Sequence, residues 1–207
     1  MQTNRTKQWK RLVVLAGAWL VTAQVPARAD QIERPDVPGV LEVDGAFRPY
    51  LVGHAIGTQN YVCLPKKTGD GFEWVQYGPQ ATLFDDDGTQ IATHFLSPNP
   101  VEGGTPRATW QHSRDTSAVW AKQFAIFSDP PYVQPGDIPW LLLEVKGTRR
   151  GADGGRRLSD TTWIQRVNTS GGAAPETGCA SVDNVGAKSL VPYETDYYFY
   201  KARGRQK

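Results

Sequence analysis

No stretch of a dozen residues in this chain holds apolar side chains at the three-to-four-residue spacing of an amphipathic helix. What recurs is a short apolar run broken by Gly, Pro or Asp-Gly about every ten residues, the pattern of short strands joined by turns. Candidate strands fall at residues 59–64, 72–77, 80–84, 89–95, 107–112, 118–127, 140–146, 161–168 and 193–200. Alternation is clear where Phe72, Trp74 and Gln76 share one face and Glu73, Val75 and Tyr77 the other. Leu141-Leu142-Leu143 is apolar on both faces, as in a strand covered on both sides. Asp85-Asp86-Asp87-Gly88 reads as a hairpin turn with glycine at positive φ. The expectation is an all-β, single-domain antiparallel β-sandwich or barrel with long loops, and the Gly-rich segments at residues 146–157 and 101–106 read as exposed loops.

The first residues carry Arg5, Lys7, Lys10 and Arg11, then an apolar run at residues 12–21, then Pro26-Ala27-Arg28-Ala29. This is the three-part layout of a secretory signal, with cleavage expected after Ala29. The apolar run is too short to span a bilayer, which takes roughly 20 residues, so an uncleaved anchor is the lesser alternative. The expected mature protein is residues 30–207, exported to the periplasm or beyond, with an irregular lead-in and a basic tail. Of the 23 basic and 21 acidic residues, the signal removes five basic and no acidic ones. Lys201, Arg203, Arg205 and Lys207 crowd the tail, so residues 30–200 carry 14 basic against 21 acidic side chains. An acidic body argues against nucleic acid as a partner, since phosphates need a basic face. The Arg-rich tip with Arg149, Arg150, Arg156 and Arg157 is the one local exception, suited to an anionic partner.

Two cysteines, Cys63 and Cys179, remain in a chain bound for an oxidising compartment, and one disulfide between them is the expectation. A metal-binding or redox thiol pair is the alternative, but there is no Cys-x-x-Cys.

Several chemistries lack their usual motifs: there is no Gly-x-Ser-x-Gly elbow, phosphate-binding loop, dinucleotide fingerprint or His-Glu-x-x-His. A hairpin centred on Gly103 would set His94 opposite His112, with Cβ atoms about 5 Å apart. With His54 as a third ligand, such a pair could hold Zn or Cu; the plainer reading is three separate, hydrogen-bonded strand histidines. Asp85-Asp86-Asp87-Gly88 lacks the spaced ligands and closing Glu of a calcium loop. Glu73, Glu144 and Asp196 are indistinguishable from surface charges as glycosidase carboxylates. Trp74, Trp110, Trp120, Trp140 and Trp163, with the rings of residues 193–200, could fill a core or form a stacking surface for a ligand. Asn168-Thr169-Ser170 matches a glycosylation acceptor.

The order of short motifs is Gly57-Thr58-Gln59-Asn60-Tyr61-Val62-Cys63, Ile138-Pro139-Trp140-Leu141-Leu142-Leu143, Trp163-Ile164-Gln165-Arg166-Val167-Asn168-Thr169, Gly178-Cys179, and Val191-Pro192-Tyr193 with Asp196-Tyr197-Tyr198-Phe199-Tyr200. In this order the chain resembles the exported proteins of the domain of unknown function 3455 family. It departs from them in the longer Pro/Gly insertion between His94 and Trp110. The resemblance implies export and a single domain, and it supplies no catalytic residues. The leading functional expectation is a non-catalytic exported domain that binds a small ligand or an envelope component. The alternatives are a metal-dependent enzyme built on His94, His112 and His54, and a structural envelope protein.

Overall fold

Alternating strand sequences bury one face, and here that face turns inward on itself. The computed structural model describes residues 32–204; the expected signal segment and the tail residues Arg205 and Lys207 lie outside them. Eight strands form: β1 (Phe47–Pro65), β2 (Phe72–Phe84), β3 (Gln90–Asn99), β4 (Thr105–His112), β5 (Ala118–Phe127), β6 (Trp140–Arg149), β7 (Trp163–Gly171) and β8 (Lys188–Ala202). Each pairs antiparallel with its successor, and β8 returns to β1, closing the sheet into a barrel. Of the two architectures consistent with the sequence, the barrel is adopted, and closure leaves no free sheet edge.

The expected strand at residues 118–127 coincides with β5. Residues 72–77 and 80–84 are one strand, with Gly78 at φ 148° beside the register slip between Asn60 and Tyr61. β1 starts at Phe47, well before residue 59, and runs through Gly53 and Gly57. These glycines make room. A Cβ on Gly57 would lie 2.2 Å from the Gln80 carbonyl oxygen, and on β8 the partners of Gly53 and Gly57 are Tyr197 and Tyr193. Small residues on β1 thus allow the close approach of β2, with Leu83 beside Gly53 and Ala81 beside Gly57.

The inner core includes Leu51, Leu83, Trp110, Val119, Leu143, Ile164 and Phe199. A second core forms outside the barrel, where Leu41 and Val43 of the lead-in pack with Trp140, Leu142, Val167 and Tyr200. Gln165 Nε2 donates to the Leu41 carbonyl at 2.7 Å, fastening the lead-in to β7. That explains the triple leucine: Leu141 and Leu143 face in, while Leu142 lies under the lead-in. Each apolar side chain buried there contributes about 1.5–3 kcal/mol. His54, Glu144, Lys146, Glu194 and Asp196 alternate outward. No helix among the described residues is long and apolar enough to cross a membrane.

The Arg-rich segment after β6 is not a free tip. It folds back and inserts Leu158, fully buried, into the inner core. Asp115 anchors it, accepting from the Arg157 backbone N at 2.7 Å. Ser117 Oγ donates to Asp115 at 2.6 Å and accepts from the Leu158 N at 3.0 Å. Only glycine fits at residue 155, where a Cβ would lie 2.3 Å from the Asp115 carbonyl oxygen. Arg149, Arg150, Arg156 and Arg157 remain exposed around this closure.

Cys63 and Cys179 are bonded, their Cα atoms 5.5 Å apart. The bridge pins the long connection between β7 and β8 to the end of β1. Trp74 helps by donating its indole N–H to the Thr177 carbonyl at 3.0 Å.

Candidate functional site

With one end of the barrel filled by Leu158, the other end remains partly open. A cavity of about 420 Å³ lies there, lined at depth by Gln59, His94, Trp110, Leu141, Arg166 and Tyr197. An eight-stranded barrel is wide enough to be filled by its own side chains or to hold one small ligand, and this one does the first at one end only.

Strand alternation places the polar groups of the cavity. On β7, Ile164 and Arg166 point inward while Gln165 and Val167 point outward to the lead-in. Arg166 is only 8% exposed, and its Nε and Nη2 both donate to the Pro139 carbonyl, at 3.1 and 2.7 Å. No carboxylate pairs with it among the described residues. On β8, Tyr193 and Tyr197 are buried, and burial raises the pKa of both, so at neutral pH they keep their protons. Their hydroxyls lie near each other and near the Arg166 charge, yet neither forms a hydrogen bond of ordinary geometry. The Trp110 indole N–H is equally without a partner. Buried donors left unpaired cost about 1–3 kcal/mol each, and two of them, on Trp110 and Tyr197, line the cavity.

His94 belongs to this cluster. Its ring stacks on Trp110 with centroids 4.1 Å apart, and Tyr197 meets it edge-on at 5.1 Å. Nδ1 lies 2.9 Å from the Thr109 carbonyl, so the proton sits on Nδ1 and Nε2 is left as an acceptor. Burial lowers its pKa to about 3, against the pull of the Thr109 carbonyl and with help from the Arg166 charge. His94 is therefore neutral throughout the physiological range.

The three histidines do not converge. His94 pairs with Trp110, and His112 pairs with Ala92, a register two residues from the expected one. The cause is the turn: it is built on a 3-10 segment, Pro100–Glu102, rather than centred on Gly103. Asn99 holds it, accepting from the Val101 N at 3.1 Å and donating to Glu102 at 2.8 Å, with Gly103 in the left-handed region. His112 sits at the closed end with Nδ1 3.1 Å from Asp115. His54 is on the outer face, with Nδ1 2.7 Å from Asp196 and Nε2 2.9 Å from Asp86. Among the described residues no three His, Cys, Asp or Glu side chains are grouped to hold a metal ion.

The other candidates also lie outside the cavity. Asp85 caps its own turn, accepting from the Thr89 N at 2.8 Å. Glu144 pairs with Lys146, and Glu73 is exposed on β2. Asn168, at φ 53° in a bulge of β7, donates to Asp196 at 2.8 Å. Of the tryptophans, Trp110 lines the cavity, Trp140 is in the outer core and Trp120 donates to Ser97 at 2.9 Å. Arg166 and Tyr197 were legible only as members of a motif. The signal that could have singled out Arg166 is a cation at the same parity as the core residue Ile164.

Fold and cavity together define a closed eight-stranded antiparallel barrel, plugged at one end and carrying a polar, partly open lumen at the other. The sequence profile of the family described as "Protein of unknown function (DUF3455)" matches residues 44–201, and the chain belongs to that family. No curated protein and no solved structure matches it. The matched span begins just before β1 and ends within β8, so the whole barrel is the family's unit.

Proposed function

We propose that this protein is an exported, non-catalytic binding protein that holds one small molecule in the open end of its barrel. The observation carrying this reading is the conjunction of a cavity of about 420 Å³ with two buried donors among its lining, from Trp110 and Tyr197, that have no protein partner. Ligand sites of this kind are concave, mostly apolar and pre-formed, with a few polar groups fixing orientation. The side chains lining the cavity include no carboxylate, and His94 does not take up a proton near neutrality, so a matched acid and base are lacking. Export is supported by the amino-terminal signal layout and by a cysteine pair bonded as expected in an oxidising compartment.

The test is a thermal-shift screen of small metabolites on the purified protein and on an Ala121→Leu variant, in which the longer side chain intrudes on the cavity. Ligands of the lumen raise the melting temperature of the native protein and not of the variant. A ligand that stabilises both equally binds elsewhere and counts against this reading. Export is checked by amino-terminal sequencing of protein recovered outside the cytoplasm, with Asp30 as the expected first residue.

A further inference from the structure

Resting on that binding reading, we propose that the ligand is a small organic acid, bound as its carboxylate on the free edge of the Arg166 guanidinium with its apolar remainder against Leu96, Leu141 and Leu143. A guanidinium has five N–H donors in a rigid fork. The Pro139 carbonyl occupies the Nε–Nη2 side, taking one hydrogen from each. What remains is the end-on edge, one Nη2–H beside one Nη1–H, and that edge matches the two oxygens of a carboxylate. A buried cation without a counter-ion is costly, so this arrangement favours an anion over any neutral guest.

The charge of the cavity supports the same class. Its lining carries three cations, Arg107, Lys122 and Arg166, and no acid, although the body of the protein is acidic. Arg107 is neutralised by Glu102 at 2.7 Å, and Lys122 is exposed at the rim, so Arg166 is the one buried, unpaired charge. A single buried positive charge balances a monoanion and leaves a phosphate dianion under-compensated. The Tyr197 hydroxyl and Trp110 N–H add neutral donors close by. Ala121, Leu141 and Leu143 supply an apolar wall, which suits a hydrocarbon or aromatic body.

The experiment is calorimetric titration of the purified protein with straight-chain carboxylates from butyrate to dodecanoate and with phenylacetate, each beside its primary amide. Inorganic phosphate is titrated alone and as a competitor. The expected result is one-to-one binding of one or more acids, each at least about tenfold tighter than its amide, without displacement by phosphate. Arg166→Met should collapse the acid-to-amide ratio towards one. Tyr197→Phe, which removes a single donor, should weaken the acid several-fold and gives the same reading should Arg166→Met fail to fold. Amides that bind as tightly as acids, or an acid preference that survives both substitutions, would overturn the anion inference while leaving the lumen as a binding site. Phosphate that outcompetes the acids would overturn the carboxylate. Absence of saturable binding by both series would overturn this inference alone, the binding reading being decided separately by the thermal-shift screen.

Discussion

The neutral His94 has a consequence for stability that can be worked through. Its pKa is 6.5 unperturbed and about 3 in the folded protein, where burial is the main cause. Between these values an unfolded chain takes up a proton that the folded one refuses. Stability attributable to His94 is therefore intact above pH 6.5 and falls as pH drops from 6.5 towards about 3. The slope within that window is about 1.4 kcal/mol per pH unit for one proton. From pH 7 to pH 4.5 the loss is about 2.6 kcal/mol, a sizeable part of the 5–15 kcal/mol of an ordinary domain. The control is His94→Gln, which cannot titrate but keeps an N–H for the Thr109 carbonyl. Urea unfolding of both proteins at pH 7, 6, 5 and 4.5 isolates the term, because the other titrating groups are common to both. The native protein should lose about 2.6 kcal/mol more than the variant over this range. Parallel losses would refute the argument and mean that His94 is hydrated or exchanges into solvent.

Three further outcomes follow from the same structure. His54 is partly buried, which opposes its charge, but the hydrogen bonds and charges of Asp86 and Asp196 prevail and raise its pKa. Its contribution is thus full below pH 6.5 and lost as pH rises through the folded value; melting curves of His54→Gln should differ from native at pH 5.5 and converge at pH 9. Reducing the bridge between Cys63 and Cys179, 116 residues apart, should cost about 5 kcal/mol in the chain-entropy model, read as a lower urea midpoint for Cys63→Ala/Cys179→Ala. Leu158→Ala should cost about 2–5 kcal/mol by chemical denaturation, because the closure of the barrel end depends on that one buried side chain.

Much of the strand pattern could be read in the chain, because burial on one face imposes a period of two wherever a strand is long enough to display it. Closure could not. A sandwich and a barrel bury the same alternating face, and the deciding contact is the ladder between β1 and β8, across nearly the whole chain. β1 itself was half hidden, since Gly53 and Gly57 look like breaks until Tyr197 and Tyr193 are seen opposite them. The pairing of His94 with Trp110 was missed for a local reason. A hairpin register follows its turn, and the capping by Asn99 moves the centre of that turn one residue towards the amino terminus, which shifts the pairing sum by two. A two-residue slip preserves which side chains face inward, so it changes the cross-strand partner of each histidine and not the face it occupies.

The charge of the chain illustrates the same limit at the candidate site. An excess of acids over residues 30–200 argues soundly against a polyanion on the outer surface, where charges act as a sum. Inside a barrel they do not sum. The lumen samples only what strand parity turns inward, and at its depth that selection leaves one arginine without an acid. Dissolved salt at physiological ionic strength screens the outer charges within about 8 Å, whereas Arg166 is buried beside apolar side chains where a counter-charge acts far more strongly. A barrel whose outer surface carries an excess of acids can therefore select an anion, provided that the anion is small enough to leave the surface behind. Net charge describes the outer surface of this chain, and the parity of a single strand residue, Arg166 in step with Ile164, decides what charge its lumen presents.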